Sequence, residues 1–329
     1  MSGMNGLLLG IDVGGTKIAG VAVDGGSGEL LAERRQPLDD LPLERQVIGF
    51  ARGLVEGAGG EQLAGIGVAV PGLVDAGSGV MRLAVNVDAG ELAIGPLVAE
   101  AMGAPCFVEH DARAAALWLL QRGDPRDSLV YLSVGTGIAA AVVIAGRLVR
   151  GVTGLAGEIG HIQAVESGPA CPCGLRGCLE VVAAGPALAR MAQEAVASGK
   201  TTTLSIGAAG PEAVYRAAAA GDEVALAIAD RVGVHLARAI RGIVLSYGIG
   251  RVVIGGGLSR AGEPFLRPIL DELERERAAS PLISHALTPN PVELLPADSD
   301  PGAWGAVVVA RSGLSNGVPV APEREVANE

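Results

Sequence analysis

Residues 128–146 read SLVYLSVGTGIAAAVVIAG, an uncharged run long enough to raise the question of a membrane span. Gly135, Thr136 and Gly137 interrupt it at the middle and leave two apolar pieces, each of strand length. Leu129–Val134 and Ile138–Ile144 therefore read as two buried strands joined by a turn, and not as a membrane helix. The same pattern stands near the start of the chain. LLLGI, residues 7–11, runs into Asp12-Val13-Gly14-Gly15-Thr16-Lys17, and IAGVAV, residues 18–23, follows as a second strand. Glycine between paired strands lets backbone N–H groups approach an anion closely. The two hairpins suggest two related halves, each offering a turn to one side of a polyphosphate. Asp12, at a strand end, is placed to hold a magnesium ion through water, and Thr16 to donate to a phosphate. Taken alone, each turn is equally an ordinary glycine hairpin.

Beyond the second hairpin lies GLAGEIGHIQAVESGPACPCGLRGCLE, residues 154–180, with three of the four cysteines and one of the four histidines. His161, Cys171, Cys173 and Cys178 offer one imidazole and three thiolates, the four-ligand set of a structural zinc site with no position left open for catalysis. Gly174 and Gly177 permit the tight turns needed to aim three thiolates at one centre. Glu158 precedes His161 by one helical turn, so both fall on one face, and Glu180 follows the last cysteine closely. The loop reads as a zinc staple that holds carboxylates for a ligand. Bystander thiols, a disulfide and solvated surface glutamates are the plain alternatives.

Composition narrows the classes. The chain has 329 residues, 49% of them hydrophobic, enough for two domains and a large core. A net charge of -11 argues against nucleic acid, whose binding needs a basic footprint. No basic segment followed by an apolar one opens the chain, so no secretory signal is read there. Metal-spaced cysteines fit a reducing cytoplasm. Aromatic residues are only 2%, which leaves few stacking platforms for bases or sugars.

The remaining elements alternate. A third strand is expected over 29–34, a helix over 43–57, a buried strand over 63–70 ended by Pro71-Gly72, a strand over 80–85 and a helix over 92–102. Asn86 and Asp88 lie in a polar loop between the last two. A strand over 104–108 leads into Glu109-His110-Asp111 and a helix from Ala112 to about Gln121. Asp111 thus sits at a strand's C-terminal end, where ligands bind in open α/β sheets, or serves merely as the helix cap. One helix is expected over 179–198 and a polar linker over 199–210. Apolar residues from Val224 to Val244 at intervals of four mark a long helix over 223–246. A strand over 251–254 feeds Gly255-Gly256-Gly257, backbone against which a flat ligand can lie, or simply a turn. A helix over 263–277, a strand over 291–295 and an apolar helix over 302–311 complete the pattern.

Together these motifs resemble the ROK family of sugar kinases and repressors, from residue 7 to about 311. The most specific part is EIGH followed by C-x-C-G-x-x-G-C-x-E. The resemblance implies an actin-like, hexokinase-like (ribonuclease H-like) α/β fold of two α/β domains around a cleft. It implies a small domain at 1–110, completed by a C-terminal helix at about 302–314, and a large domain at 111–301 with the zinc loop at 161–178. The implied reaction moves the γ-phosphate of ATP to a sugar hydroxyl. Asp111 then aligns with the catalytic base. Asp12, Gly14, Gly15, Thr16 and Lys17 align with the first phosphate loop, Gly135, Thr136 and Gly137 with the second, and Gly256 and Gly257 with the adenosine loop. Gly72, Asn86, His110, Asp111, Glu158, His161 and Glu180 make the implied sugar site, where the histidine also ligates zinc. Two departures fall beside the sugar. His110 stands where the family usually has Asn, and Val85-Asn86-Val87 replaces Pro-Asn-Leu, without the nearby Trp.

The expected function is an ATP-dependent hexose kinase, glucose to glucose 6-phosphate, using ATP, Mg²⁺ and a structural Zn²⁺. The alternative is an N-acetylhexosamine kinase acting on N-acetylglucosamine or N-acetylmannosamine. Lesser readings are a sugar-sensing regulator, which in this family carries a helix-turn-helix ahead of the first strand, and a sugar-binding protein without turnover. The resemblance also implies a cytoplasmic homodimer with no nucleic-acid or membrane partner, and it leaves polyphosphate open as another donor.

Overall fold

The computed structural model describes residues 6–83, 91–124, 126–205, 210–288 and 291–316. The described chain forms two compact units, one from its start to Gly123 and again from Asp300, the other from Asp124 to Ser299.

The first unit begins with β1 (Leu7–Val13), β2 (Lys17–Asp24) and β3 (Leu30–Pro37), an antiparallel meander. Then come α1 (Leu43–Gly57), β4 (Leu63–Val70), the short hairpin β5 (Leu73–Asp75) and β6 (Val80–Leu83), α2 (Ile94–Met102), β7 (Cys106–His110) and α3 (Asp111–Arg122). The sheet order is β3-β2-β1-β4-β7, with β4 parallel to both β1 and β7. Strands β1 and β4 are apolar almost throughout because helices cover both faces of the sheet. Val47, Phe50, Leu54, Ile94 and Val98 from α1 and α2 bury one face.

The second unit repeats the plan. It comprises β8 (Leu129–Val134), β9 (Ile138–Ile144), β10 (Arg147–Leu148), α4 (Leu179–Ala183), α5 (Gly185–Ala197), α6 (Pro211–Ala219), α7 (Glu223–Tyr247), β11 (Val252–Gly255), α8 (Glu263–Ala279), α9 (Pro281–Ala286) and β12 (Val292–Leu294). Its sheet order is β10-β9-β8-β11-β12, antiparallel over the first three strands and parallel over the rest. This is the first sheet's order, strand for strand, so the likeness of the two glycine turns in sequence reflects two halves of one topology. Asp222 caps α7, accepting from Val224 N–H and Ala225 N–H, and Gly248 ends it in the left-handed conformation. Leu236, Ile240 and Val244 of α7 enter the core with Leu132, Val142 and Ile254 of the sheet.

The chain then returns to the first unit as α10 (Pro301–Asn316), which covers the sheet's other face with Ala303, Ala306, Val307 and Ala310. α3 packs along α10, so the seam between units falls after α3 rather than at residue 110. The approach of α10 is backbone to backbone. A Cβ on Gly67 would stand 1.8 Å from the Ala306 carbonyl oxygen, and one on Gly10 2.1 Å from that of Ala303.

Three differences from the sequence reading have local causes. The helix expected over 179–198 is two, because the chain turns at Ala184 and restarts with Pro186 in the first turn of α5. α6 and α9, both opening on proline, are additional. The strand expected over 29–34 runs to Pro37, carried by its pairing with β2. No helix among the described residues is long and apolar enough to cross a membrane, and residues 129–144 form a strand pair.

Gly67→Ala is expected to lower stability by about 2–3 kcal/mol, since the methyl group meets a carbonyl on a packed helix. Urea denaturation would measure it, and an unchanged midpoint would contradict the close approach.

Candidate functional site

In the first unit the C-terminal ends of three parallel strands lie side by side, with Asp12 in register with Ala69, and Val70 with His110. This edge carries the β1–β2 turn, the Pro71-Gly72 turn and His110-Asp111. Gly14 N–H donates to the Lys17 carbonyl at 2.9 Å and closes the first turn, leaving Gly15, Thr16 and Lys17 exposed. Gly72 has φ +86°, a conformation glycine adopts without strain, and so lets the chain reverse at the end of β4.

The Asp12 carboxyl lies against the first turn of α10, where a Cβ on Gly302 would stand 2.4 Å from its Cγ. Burial, then the charges of Asp111 and Asp300, push the Asp12 carboxyl up from 3.8 to about 8, and Lys17 opposes them. Asp300 was not singled out in the sequence. Its Oδ2 pairs with Arg35 at 3.1 Å, and its Oδ1 accepts from Ala303 N–H at 3.5 Å. The signal was present, since an aspartate before Pro301 is a helix-start signature.

Asp111 is the first residue of α3, and His110 is its cap. Asp111 Oδ1 accepts from Ala112 N–H at 2.6 Å, and the side chain keeps 34% of its exposure. His110 is buried, as are its neighbours Glu109 and Arg113, which pair at 3.5 Å. Asn86, with Val85 and Val87, lies outside the described residues.

In the second unit the β8–β9 turn is closed by Gly135 N–H donating to the Gly137 carbonyl at 2.9 Å. Three elements converge on it. Gly185 N–H at the start of α5 donates to the Gly135 carbonyl at 2.8 Å. Gly256 and Gly257, after β11, lie against the same turn, where a Cβ on Gly256 would stand 2.5 Å from the Val134 carbonyl. Glu180 Oε2 accepts from Ile138 N–H at 2.9 Å, just past Thr136 and Gly137. One oxygen of Glu180 thus anchors it to the turn, a bond that spacing alone could not reveal because the two residues are 42 positions apart.

Glu158 precedes a 3-10 turn over Ile159–His161, and His161 N–H donates to the Glu158 carbonyl at 3.2 Å. The turn is pressed onto β9: Ala140 N–H donates to the Gly157 carbonyl, and a Cβ on Gly160 would stand 2.2 Å from the Ile138 carbonyl. This fixes the backbone of both Glu158 and His161.

The ligand atoms of His161, Cys171, Cys173 and Cys178 lie within 4.8 Å of one another. Cys171 Sγ is 3.6 Å from His161 Nδ1, and Cys173 Sγ is 3.7 Å from Cys178 Sγ. A tetrahedral zinc with ordinary bond lengths requires about 3.6 Å between nitrogen and sulfur and about 3.8 Å between two sulfurs. The sulfurs are far too distant for a disulfide, and all four cysteines are free thiols. The donor set and its spacing therefore fit zinc. His161 turns Nδ1 toward the thiols, so Nε2 remains for another contact. In the metal-free chain, burial, with Cys171 and Cys173 close by, pushes the Cys178 thiol up to about 12.

The ROK family profile matches residues 8–312. The chain is 33% identical to a glucokinase of Thermotoga maritima over 299 residues, 85% of this chain and 94% of that protein. It is 34% identical to an N-acetylmannosamine kinase of Citrobacter koseri over 282 residues, 82% of this chain and 89% of that protein. Among solved structures it is similar to a ROK family glucokinase from Streptomyces griseus in complex with glucose and AMPPNP. The TM-score is 0.79 at 29% identity, covering 93% of this chain and all of that one. The chain belongs to the ROK family, and its two sheets carry the hexokinase-like, actin-like α/β fold.

Elemental analysis should find about one zinc per chain and lose it in Cys178→Ser. Because the metal must displace the thiol protons, affinity should rise with pH. Asp12 has its folded pKa raised from 3.8 to about 8, so ionising it opposes folding. The resulting loss of stability grows as pH rises through that window. Asp12→Asn should remove the loss, gaining on the wild type between about pH 5 and about pH 8, and Mg²⁺ should narrow the gap at the upper end. Parallel urea curves with no pH-dependent gap would contradict the desolvation of Asp12 beside the charges of Asp111 and Asp300.

Proposed function

We propose that this chain is an ATP-dependent hexose kinase with glucose as its leading substrate. The observation that carries the reading is Asp111 beside Asp12 at one strand edge, in a chain similar to glucokinases along most of its length.

Phosphoryl transfer needs positioning and charge neutralisation more than covalent chemistry from the protein. In this reading, Asp111 orients the attacking sugar hydroxyl and takes its proton, a role worth about 10²- to 10⁴-fold. The β1–β2 turn offers the Gly15 and Thr16 N–H groups and the Thr16 hydroxyl to phosphate oxygens, and the β8–β9 turn those of Thr136 and Gly137, while Gly14 N–H and Gly135 N–H close their own turns. Gly256 and Gly257 give the adenosine a side-chain-free surface. Glu158 and Glu180 accept from sugar hydroxyls, with Glu180 doing so through Oε1 while Oε2 stays on Ile138 N–H. Mg²⁺ suits the hard oxygens around Asp12, and when bound it would neutralise charge on the phosphates. Zinc holds the Glu158–Glu180 loop in shape and takes no part in the chemistry.

A second reading is supported by the similarity to an N-acetylmannosamine kinase and by His110 and Val85-Asn86-Val87, where the residues depart from the usual family pattern. The expected assembly under either reading is a homodimer.

A coupled ADP-release assay with Mg·ATP against glucose, mannose, fructose, N-acetylglucosamine and N-acetylmannosamine separates them. Preference for glucose is expected, and activity confined to an acetylated sugar moves the function to the second reading. Asp111→Asn should lower kcat at least about 10²-fold while sugar binding by calorimetry persists. Near-normal turnover in that variant would remove Asp111 from the mechanism.

A further inference from the structure

The β8–β9 turn closes on itself through Gly135 N–H and the Gly137 carbonyl, which leaves its two stems to be placed by other elements. On the β8 stem, Gly185 N–H donates to the Gly135 carbonyl at 2.8 Å. On the β9 stem the alternation of an antiparallel strand decides, since successive residues turn their N–H groups to opposite edges. Ala140 N–H points away from β8 and goes to the Gly157 carbonyl at 2.8 Å. Ile138, two residues nearer the turn, faces the same edge, and there Glu180 Oε2 takes its N–H at 2.9 Å. Ile138 is buried, so water is a poor substitute for that oxygen.

Glu180 lies in the first turn of α4 and Gly185 opens α5. Residues 180–185 therefore grip both stems, with Thr136 and Gly137 between the two bonds. We propose that this span sets the β8–β9 turn for phosphate, so that Glu180, through Oε2 and Ile138 N–H, governs affinity for the nucleotide as well as contact with the sugar. The inference rests on the reading of that turn as a phosphate loop. Toward the nucleotide Glu180 is a positioning residue, acting through Ile138.

The two grips differ in kind. The one at Gly185 is backbone to backbone, and a Cβ there would stand 3.1 Å from the Gly135 carbonyl oxygen. A Cβ on Gly256 would stand 2.7 Å from Val134 N, so backbone also packs the β8 stem from a second element. The Ile138 N–H is held instead by a side chain. A carboxylate accepting from a backbone N–H makes a charge-assisted bond, stronger than one between neutral groups. Thr136 and Gly137 stand immediately before Ile138, so fixing its N–H limits the directions theirs can take. Donors set in advance need no ordering when a phosphate arrives. Without the bond that ordering falls to the ligand and weakens its binding.

The test measures Kd for Mg·AMPPNP by calorimetry with no sugar present, so that the sugar contact of Glu180 does not enter. Glu180→Ala should weaken binding at least about 10-fold. Glu180→Gln, whose amide oxygen can still accept from Ile138 N–H, should stay within about 3-fold of wild type. Amide hydrogen exchange on the free protein gives a second reading, with Ala140 as the standard because its partner is the Gly157 carbonyl. In Glu180→Ala, Ile138 N–H should exchange at least about 10-fold faster relative to Ala140 N–H, and in Glu180→Gln the ratio should hold within about 3-fold. If Glu180→Ala does not fold, Glu180→Asp, one methylene shorter, takes its place with the same expectation. An unchanged Kd overturns the positioning role, and so does an unchanged exchange ratio. Equal weakening in Glu180→Ala and Glu180→Gln would make the charge of Glu180 the cause and overturn it as well. A wild type that binds no Mg·AMPPNP ends the kinase reading and this inference with it. A wild type that binds, beside a Glu180→Ala that binds equally, ends this inference alone.

Discussion

Backbone lies directly on backbone where the elements of this protein meet, and the site depends on that. The Ala306 carbonyl occupies the space a Cβ on Gly67 would need, the Ala140 carbonyl that of Gly157, and the Val134 carbonyl that of Gly256. Such approaches are open only to glycine, and 50 of the 329 residues are glycine. Because α10 can descend onto β1 and β4, its first turn reaches the Asp12 carboxyl. Because the Gly157–Gly160 segment can lie on β9, the backbone of Glu158 and His161 is set by a strand and not by a free loop. Residues 255–257 reach the β8–β9 turn for the same reason.

On this scaffold the functional carboxylates share a device. Glu180 gives Oε2 to Ile138 N–H, and Asp111 gives Oδ1 to Ala112 N–H. Each uses one oxygen to fix its own direction, and under the proposed function the other would meet a ligand. The freedom lost on binding is then already lost in the fold. Asp12 differs. It is half-buried beside Asp111 and Asp300, and desolvation and those two charges, opposed by Lys17, raise its proton affinity. A proton relieves that charge, and under the proposed function a hard cation would do the same, which chain composition alone, at net charge -11, does not reveal.

The loop over residues 158–180 joins the two themes. Two of its spacings, 3.6 Å from nitrogen to sulfur and 3.7 Å between sulfurs, suit a tetrahedral zinc. The loop starts at Glu158 and ends at Glu180, so a metal held by His161, Cys171, Cys173 and Cys178 would tie together two carboxylates distant in sequence. Cys178 leads directly into α4, whose first turn carries Glu180 to the β8–β9 turn.

Much of this was legible in the chain itself. Alternating apolar runs with glycine turns declared a strand-turn-strand unit twice, and the structure returns two sheets of one order. The cysteine and histidine spacing declared the four-residue cluster, because such a group is written in local sequence. Asp111 stood out by its place between strand and helix. What stayed hidden was decided by distance along the chain. The bond from Ile138 to Glu180, the approach of Asp300 and Gly302 to Asp12, and the return of α10 to the first unit join residues tens to hundreds of positions apart. The break at Ala184 and the identity of the α3 cap were missed for a different reason: periodicity reports which face is apolar, not where a backbone turns. Local chemistry thus determined which residues could act. Only the tertiary structure decided which oxygen of each carboxylate is bound, since that depends on which N–H the folded backbone brings within reach.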